Sequence, residues 1–83
     1  MMNINRNIAI SDTGFVFDPS SGDSYSLNPV GTEIIQLLKK QKTIEEIQVE
    51  IVSKYEVDDV QLEKDIIDFI LTLEQYNLIE NNE

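Results

Sequence analysis

Apolar and polar positions fall into three short runs before the chain changes period at Asn28-Pro29. Ile8 and Ile10 alternate with Asn7 and Ala9, and Phe15-Val16-Phe17 is rich in strand formers. Ser11-Asp12-Thr13-Gly14 joins the two, so the pattern predicts a hairpin of strands over about 7–11 and 14–18. Asp18-Pro19-Ser20-Ser21-Gly22-Asp23 is dense in turn residues. It leads into a third strand over about 24–28, in which Tyr25 and Leu27 face one side and Ser24 and Ser26 the other.

Beyond Asn28 the period becomes helical. Asn28 is suited to cap exposed backbone donors, and Pro29 fits the first helical position, where its missing N–H would have had no partner. Val30, Ile34, Leu37 and Leu38 then recur on one face, with Ile35 widening the stripe, and predict a helix over about 29–40. Thr43-Ile44-Glu45-Glu46 has the arrangement of a capping box, and Ile44, Ile47 and Ile51 share a face of a second helix over about 43–55. A third helix over about 59–76 takes Asp58 or Asp59 as its cap, and Asn77-Leu78-Ile79 forms an exit tucked against the core. In this helix Leu62, Ile66, Phe69, Leu73 and Tyr76 make one stripe, while Ile67, Ile70 and Leu71 extend well beyond it. A helix covering one small core needs an apolar face of only about 100°. The surplus predicts that the third helix meets two surfaces.

Three short amino-terminal strands followed by three helices define an α+β, winged-helix-like fold, expected to fill residues 1–83 as a single domain. At 83 residues there is no room for a second lobe to enclose a substrate. The longest apolar run, Ile66 to Leu73, is broken by Asp68 and falls far short of the roughly 20 residues of a membrane span. The amino terminus has no basic region followed by a long apolar stretch, which points to a cytoplasmic protein.

Charge and missing residue types narrow the function. Sixteen acidic side chains against six basic ones leave a net charge of -10. Through Ile44 the two signs balance; from Glu45 onward twelve carboxylates face only Lys54 and Lys64. A winged helix would suggest nucleic-acid binding, but groove insertion draws on Arg and Lys, and the third helix has one Lys among several acids. Lys39, Lys40 and Lys42 read as the basic end of the first helix. With no Cys and no His, thiolate and imidazole chemistry is absent, and Ser20, Ser21, Ser24 and Ser26 lack the base that nucleophilic hydroxyl chemistry requires. Asp65 with Asp68, and Glu45, Glu46 and Glu50, lack an oxygen-ligand loop for calcium and read as solvated faces, with Glu50–Lys54 and Lys64–Asp68 as helix pairs. The composition argues against an enzyme and implies neither metal nor cofactor. An exposed sheet edge, by contrast, needs no catalytic side chain to bind a peptide through its backbone.

The order Leu27-Asn28-x-x-Gly31, Ile34-Ile35-x-x-Leu38, Thr43-x-x-Glu46-Ile47, Tyr55, Asp65-Ile66-x-x-Phe69, Leu73 and Leu78-Ile79 resembles the PqqD-like family, the RiPP recognition elements, from Ile8 to Glu80. The resemblance implies a noncatalytic peptide chaperone. Such proteins bind the leader of a ribosomally made precursor peptide and present it to a modifying enzyme, often a radical S-adenosylmethionine enzyme; the founding pathway makes pyrroloquinoline quinone. It also implies a site. The leader adds as a strand along Ser24, Tyr25, Ser26, Leu27 and Asn28, with Leu62, Ile66, Phe69 and Ile70 as the helix wall of the groove; which of Ile66, Ile67 and Ile70 face that groove depends on a one-position rotation of the helix. Two positions depart from the family pattern: Lys40-Gln41-Lys42 replaces an Asp-Gly turn, and Asn77 replaces a Gly. The near absence of an amino-terminal extension favours a relative serving another peptide system over the pyrroloquinoline quinone pathway itself. The alternative is a structural or regulatory interaction domain that uses the apolar face of the third helix, homodimerisation included.

Overall fold

The computed structural model describes residues 2–81; Met1, Asn82 and Glu83, which the expected domain span includes, lie outside the described residues. In chain order the elements are β1 (Met2–Ile4), β2 (Ala9–Ile10), β3 (Phe15–Asp18), β4 (Asp23–Ser26), α1 (Pro29–Lys39), α2 (Ile44–Lys54), α3 (Asp59–Gln75) and β5 (Ile79–Asn81). The architecture is α+β and winged-helix-like, as the change of period predicts. Each of the three expected strands is present and shorter than the pattern suggested.

The helix starts follow local chemistry. Asn28 Oδ1 accepts from the Gly31 N–H at 2.7 Å, and Pro29 opens α1. Thr43 and Glu46 close a reciprocal capping box on α2, the Thr43 hydroxyl accepting from the Glu46 N–H at 3.1 Å and the Glu46 carboxylate from the Thr43 N–H at 2.9 Å. The bond from the Thr43 amide holds the Glu46 carboxyl below its ordinary range. Asp58 Oδ2 accepts from the Gln61 N–H at 3.0 Å and opens α3.

Helices α1 and α3 both end through a left-handed residue. Gln41 (φ 62°) and Asn77 (φ 59°) follow the two caps. Lys42 N–H reaches back to the Leu37 carbonyl at 3.1 Å, and Leu78 N–H to the Leu73 carbonyl at 2.9 Å. These are Schellman closures with no glycine in the left-handed position. They are the two positions at which the chain departs from the family pattern, and the backbone keeps the turn that a glycine would supply.

The core lies where the three helices meet β3. Val16, Ile35, Leu38, Ile47, Ile51 and Ile66 are its fully buried side chains, with Ile34, Leu37, Leu62, Ile70, Leu73, Leu78 and Ile79 around them. Lys54 ties α2 to α1 through Glu33 at 2.6 Å, and the expected partner Glu50 stands farther off at 3.9 Å. The expected Lys64–Asp68 pair does not close among the described residues.

Two strands lie outside the pattern read from the sequence. β1 pairs antiparallel with β5, placing Ile4 opposite Ile79, and the Asn5 N–H continues the ladder to the Leu78 carbonyl at 2.9 Å. The exit segment is therefore tucked against the core, as expected, and in addition joins the two ends of the described chain. The larger sheet has the order β2-β3-β4. Its register puts Val16 opposite Tyr25 and Phe17 opposite Ser24. No described helix is long and apolar enough to cross a membrane.

Candidate functional site: an open strand edge beside an apolar groove

β4 is paired on one side only, with β3. Leu27 N–H donates to the Gly14 carbonyl at 2.8 Å, which fixes the phase of the ladder. In an antiparallel pair the hydrogen-bonding direction alternates along the strand, so Tyr25 and Asp23 also direct their backbone groups toward β3. Ser24 and Ser26 direct theirs outward. Their side chains are exposed, whereas Tyr25 and Leu27 are half-buried on the helix-facing side of the sheet. The edge thus presents backbone donors and acceptors from the serines and apolar side chains from the residues between them.

Beside this edge runs a groove of about 620 Å³. Ser26, Leu27 and Asn28 form one bank, Val30, Gly31 and Ile34 of α1 lie along it, and Val57, Asp58, Gln61, Leu62, Asp65 and Phe69 form the opposite bank. The α3 residues recur at helical spacing along one side of that helix, between its core face and solvent. Gly31 sits at a close approach: a Cβ there would stand 3.1 Å from Asn28 Oδ1, so the capping side chain would have to give by a few tenths of an ångström, and in ordinary contact with the Phe69 ring at 3.5 Å and the Leu27 side chain at 3.6 Å.

Toward the carboxyl end of α3, Tyr25 and Tyr76 meet with ring centroids 5.3 Å apart in a tilted arrangement. Burial and the nearby Asp23 charge raise the Tyr25 hydroxyl above the usual phenol value. At the hairpin before β4, the buried Asp18 accepts from the Ser20 hydroxyl at 2.6 Å and the Ser20 N–H at 3.0 Å. The hydroxyl bond, foremost, holds its carboxyl below the usual range. This ties the turn that brings β4 back along β3.

The structure brings Ser26, Leu27, Asn28, Leu62 and Phe69 together around the groove, with Ser24 and Tyr25 on the same strand. It places Ile66 and Ile70 elsewhere. Ile66 is 0% exposed and Ile70 is 5% exposed, both in the core and neither on the groove wall. The rotation of α3 settles the reason: the stripe formed by Leu62, Ile66, Ile70 and Leu73 is buried in the core, where α3 packs against α2 and β5, which leaves Phe69 at its groove-side margin. Ile67 and Leu71, 41% and 51% exposed, point away from both. The groove also uses residues that the sequence reading did not assign to it: Val30, Gly31, Ile34, Val57, Asp58, Gln61 and Asp65. Asp58, Gln61, Asp65 and Phe69 follow spacings of three or four, a pattern visible in the chain but masked there by the capping role of Asp58. Among the described residues no group of three or more acidic, His or Cys side chains is arranged to hold a metal ion.

A small winged-helix-like domain with an open strand edge beside a helix-lined apolar groove has the architecture of a peptide-binding module. The profile of the family described as coenzyme PQQ synthesis protein D (PqqD) matches residues 14–79, and the chain belongs to that family. Two solved structures share the fold. One, described as lasso peptide synthetase B1 complexed with the leader peptide, superposes with a TM-score of 0.87 at 22% identity, over 96% of this chain and 98% of the other. The second, TbiB1 in complex with the TbiA(beta) leader peptide, gives a TM-score of 0.87 at 30% identity over 98% of both chains. No curated protein matches the chain.

Proposed function

We propose that this protein is a peptide chaperone: residues 1–83 act as one unit that binds the leader of a ribosomally made precursor by strand addition to β4 and presents it to a modifying enzyme. The observation that carries this reading is the unpaired β4 edge running beside an apolar groove. Strand addition draws affinity from main-chain hydrogen bonds and discrimination from pockets that receive alternate side chains. Family membership supports it, as do the leader peptides in the two similar complexes. Ser24, Tyr25, Ser26, Leu27 and Asn28 supply the edge; Leu62 and Phe69 supply the helix wall. Holding the leader raises the local concentration of the attached core peptide at the enzyme, which needs no cofactor in this chain. The enzyme is a leader-dependent peptide-modifying enzyme, with radical S-adenosylmethionine enzymes one class to test, and the site of action is the cytoplasm, where the precursor is made.

The test is a titration of the isotope-labelled protein with the synthetic leader segment of its cognate precursor peptide. Amides of Ser24 to Leu27 and side chains of Leu62 and Phe69 are expected to shift together. Unmoved edge amides at saturating leader would exclude this mode of binding. The exposed Val60, Ile67 and Leu71 on the outer side of α3 favour a second reading, self-association through that helix. Shifts that depend on protein concentration and stay on that side would support it.

A further inference from the structure

The groove is lined mainly by apolar side chains and is acidic at one bank. Asp58 and Asp65 are the charged residues among its lining, and no Lys or Arg lines it. Asp58 commits one oxygen, Oδ2, to the Gln61 N–H, and Asp65 commits Oδ1 to the Gln61 side-chain amide at 3.0 Å. Gln61 so links the two carboxylates along the rim. Neither carboxylate takes part in an ion pair among the described residues, where Lys54 holds the ion pairs with Glu33 and Glu50. A peptide lying in the groove therefore meets two negative charges with no internal counter-charge, next to the apolar lining of Leu27, Ile34, Leu62 and Phe69.

Resting on the strand-addition reading above, we propose that the groove selects leaders in which a large apolar residue is followed or preceded, two positions away, by Lys or Arg. The spacing comes from geometry. In a strand added to β4, alternate residues face the groove and lie about 6.8 Å apart. Asp58 and Asp65 are seven residues apart, about 10.5 Å along α3. An apolar side chain seated on Leu62 and Phe69 is centred beside Asp65 along the helix, so a basic residue at a neighbouring inward position lies within reach of Asp65 and, on the amino-terminal side, of Asp58 as well, with its stem on the apolar lining and its charged end at the rim. A Glu or Asp at that position meets like charge and is rejected.

The experiment uses a displayed library of random 12-residue peptides selected on the wild-type protein and, in parallel, on the Asp58→Asn/Asp65→Asn double variant. Asn retains the capping and hydrogen-bond acceptor roles, so the variant is expected to fold. Binders whose amide shifts map to Ser24–Leu27 are sequenced. Wild-type binders are expected to carry Lys or Arg two positions from the apolar anchor, and double-variant binders to keep the anchor and lose the basic preference. In one resynthesised wild-type binder, Lys→Gln at that position is expected to weaken binding about 5- to 20-fold at low salt, and by less at high salt, as for a charge-assisted contact at a partly exposed rim. Edge-binding peptides with no basic preference, or with one that persists in the double variant, overturn the charge selection and leave strand addition intact. A library that yields no peptide shifting the edge amides counts against strand addition itself.

Discussion

Replacing Ser24 by Pro tests the strand edge where a side-chain truncation does not. The phase of the β3–β4 ladder directs the Ser24 N–H outward, so proline removes a donor that β3 does not use. Proline is compatible with an edge strand on its open side, and it favours an extended conformation in the residue before it, which Asp23 already has. Ser24 and Ser26 together present two N–H and two C=O groups to an incoming strand. At about 0.5–1.5 kcal/mol net for each hydrogen bond, four such bonds supply roughly 2–6 kcal/mol, and the millimolar threshold lies at about 4 kcal/mol. Association itself costs roughly 4–15 kcal/mol, so the backbone edge alone falls short of millimolar affinity and the apolar groove must supply the remainder. Losing one bond and leaving the leader carbonyl unpaired costs about 1–3 kcal/mol, or roughly 5- to 150-fold in affinity. Calorimetric titration of Ser24→Pro with the cognate leader, beside a thermal melt, reads both quantities. The melt is expected to stay close to wild type while affinity falls within that range, and Ser24→Ala, which keeps the amide, is expected to bind within about twofold of wild type. A Ser24→Pro protein that melts normally and binds the leader with unchanged affinity would refute addition at this edge. Tyr25→Pro is the converse control, since it removes an amide directed at β3 and is expected to destabilise the sheet.

The remaining predictions concern the core, one turn and pH. Ile66→Ala is expected to lower stability by about 2–5 kcal/mol in a denaturant melt, because Ile66 is fully buried among the helices. Phe69→Leu, at the groove margin, is expected to weaken leader binding with a smaller loss of stability, and the opposite ranking in paired melts and titrations would reverse the assignment of the two α3 faces. Gly14→Ala is expected to cost about 1–3 kcal/mol in the same melt: Gly14 sits at φ 92°, and a Cβ there would collide with the Thr32 hydroxyl and stand 3.0 Å from the Leu27 carbonyl oxygen. Asp18 has a folded-state pKa below its unfolded value, chiefly through the Ser20 hydroxyl. Its stabilising contribution is therefore complete above the ordinary aspartate range and is lost as pH falls through the lowered folded value. Asp18→Asn is expected to remove that part of the acid-side decline in melting temperature, and an unchanged wild-type profile in the variant would show that the turn does not contribute it.

Much of this fold is legible in local chemistry. Asn28-Pro29, the Thr43–Glu46 box and Asp58 each act within four residues, so the three helix starts follow from the chain alone. The β3–β4 hairpin follows from Asp18–Asp23 and the alternation after it. The β1–β5 pair does not, because two three-residue runs near opposite ends carry too little pattern to identify each other. The left-handed Gln41 is legible only through the family pattern, which has an Asp-Gly turn there: its own side chain has no special tolerance for φ 62°, and the Schellman bonds at the end of α1 hold it there.

The candidate site divides the same way. By its periodicity the sequence yielded a third strand with both serines on one face and an α3 too apolar for one surface, and by its composition it left no thiolate or imidazole; that the strand stands beside α3 was only what the family resemblance implied. Its periodicity could not determine which way α3 turns, because Ile66, Ile67, Phe69 and Ile70 satisfy several rotations of one helix equally well. Packing of α3 into the core, against α2 and β5, decided that Ile66 and Ile70 go inward and Phe69 goes to the groove, whose lining it shares with Asp58, Asp65 and the β4 bank. A hydrophobic stripe states only how much surface must leave water; the neighbours that receive it fix its direction.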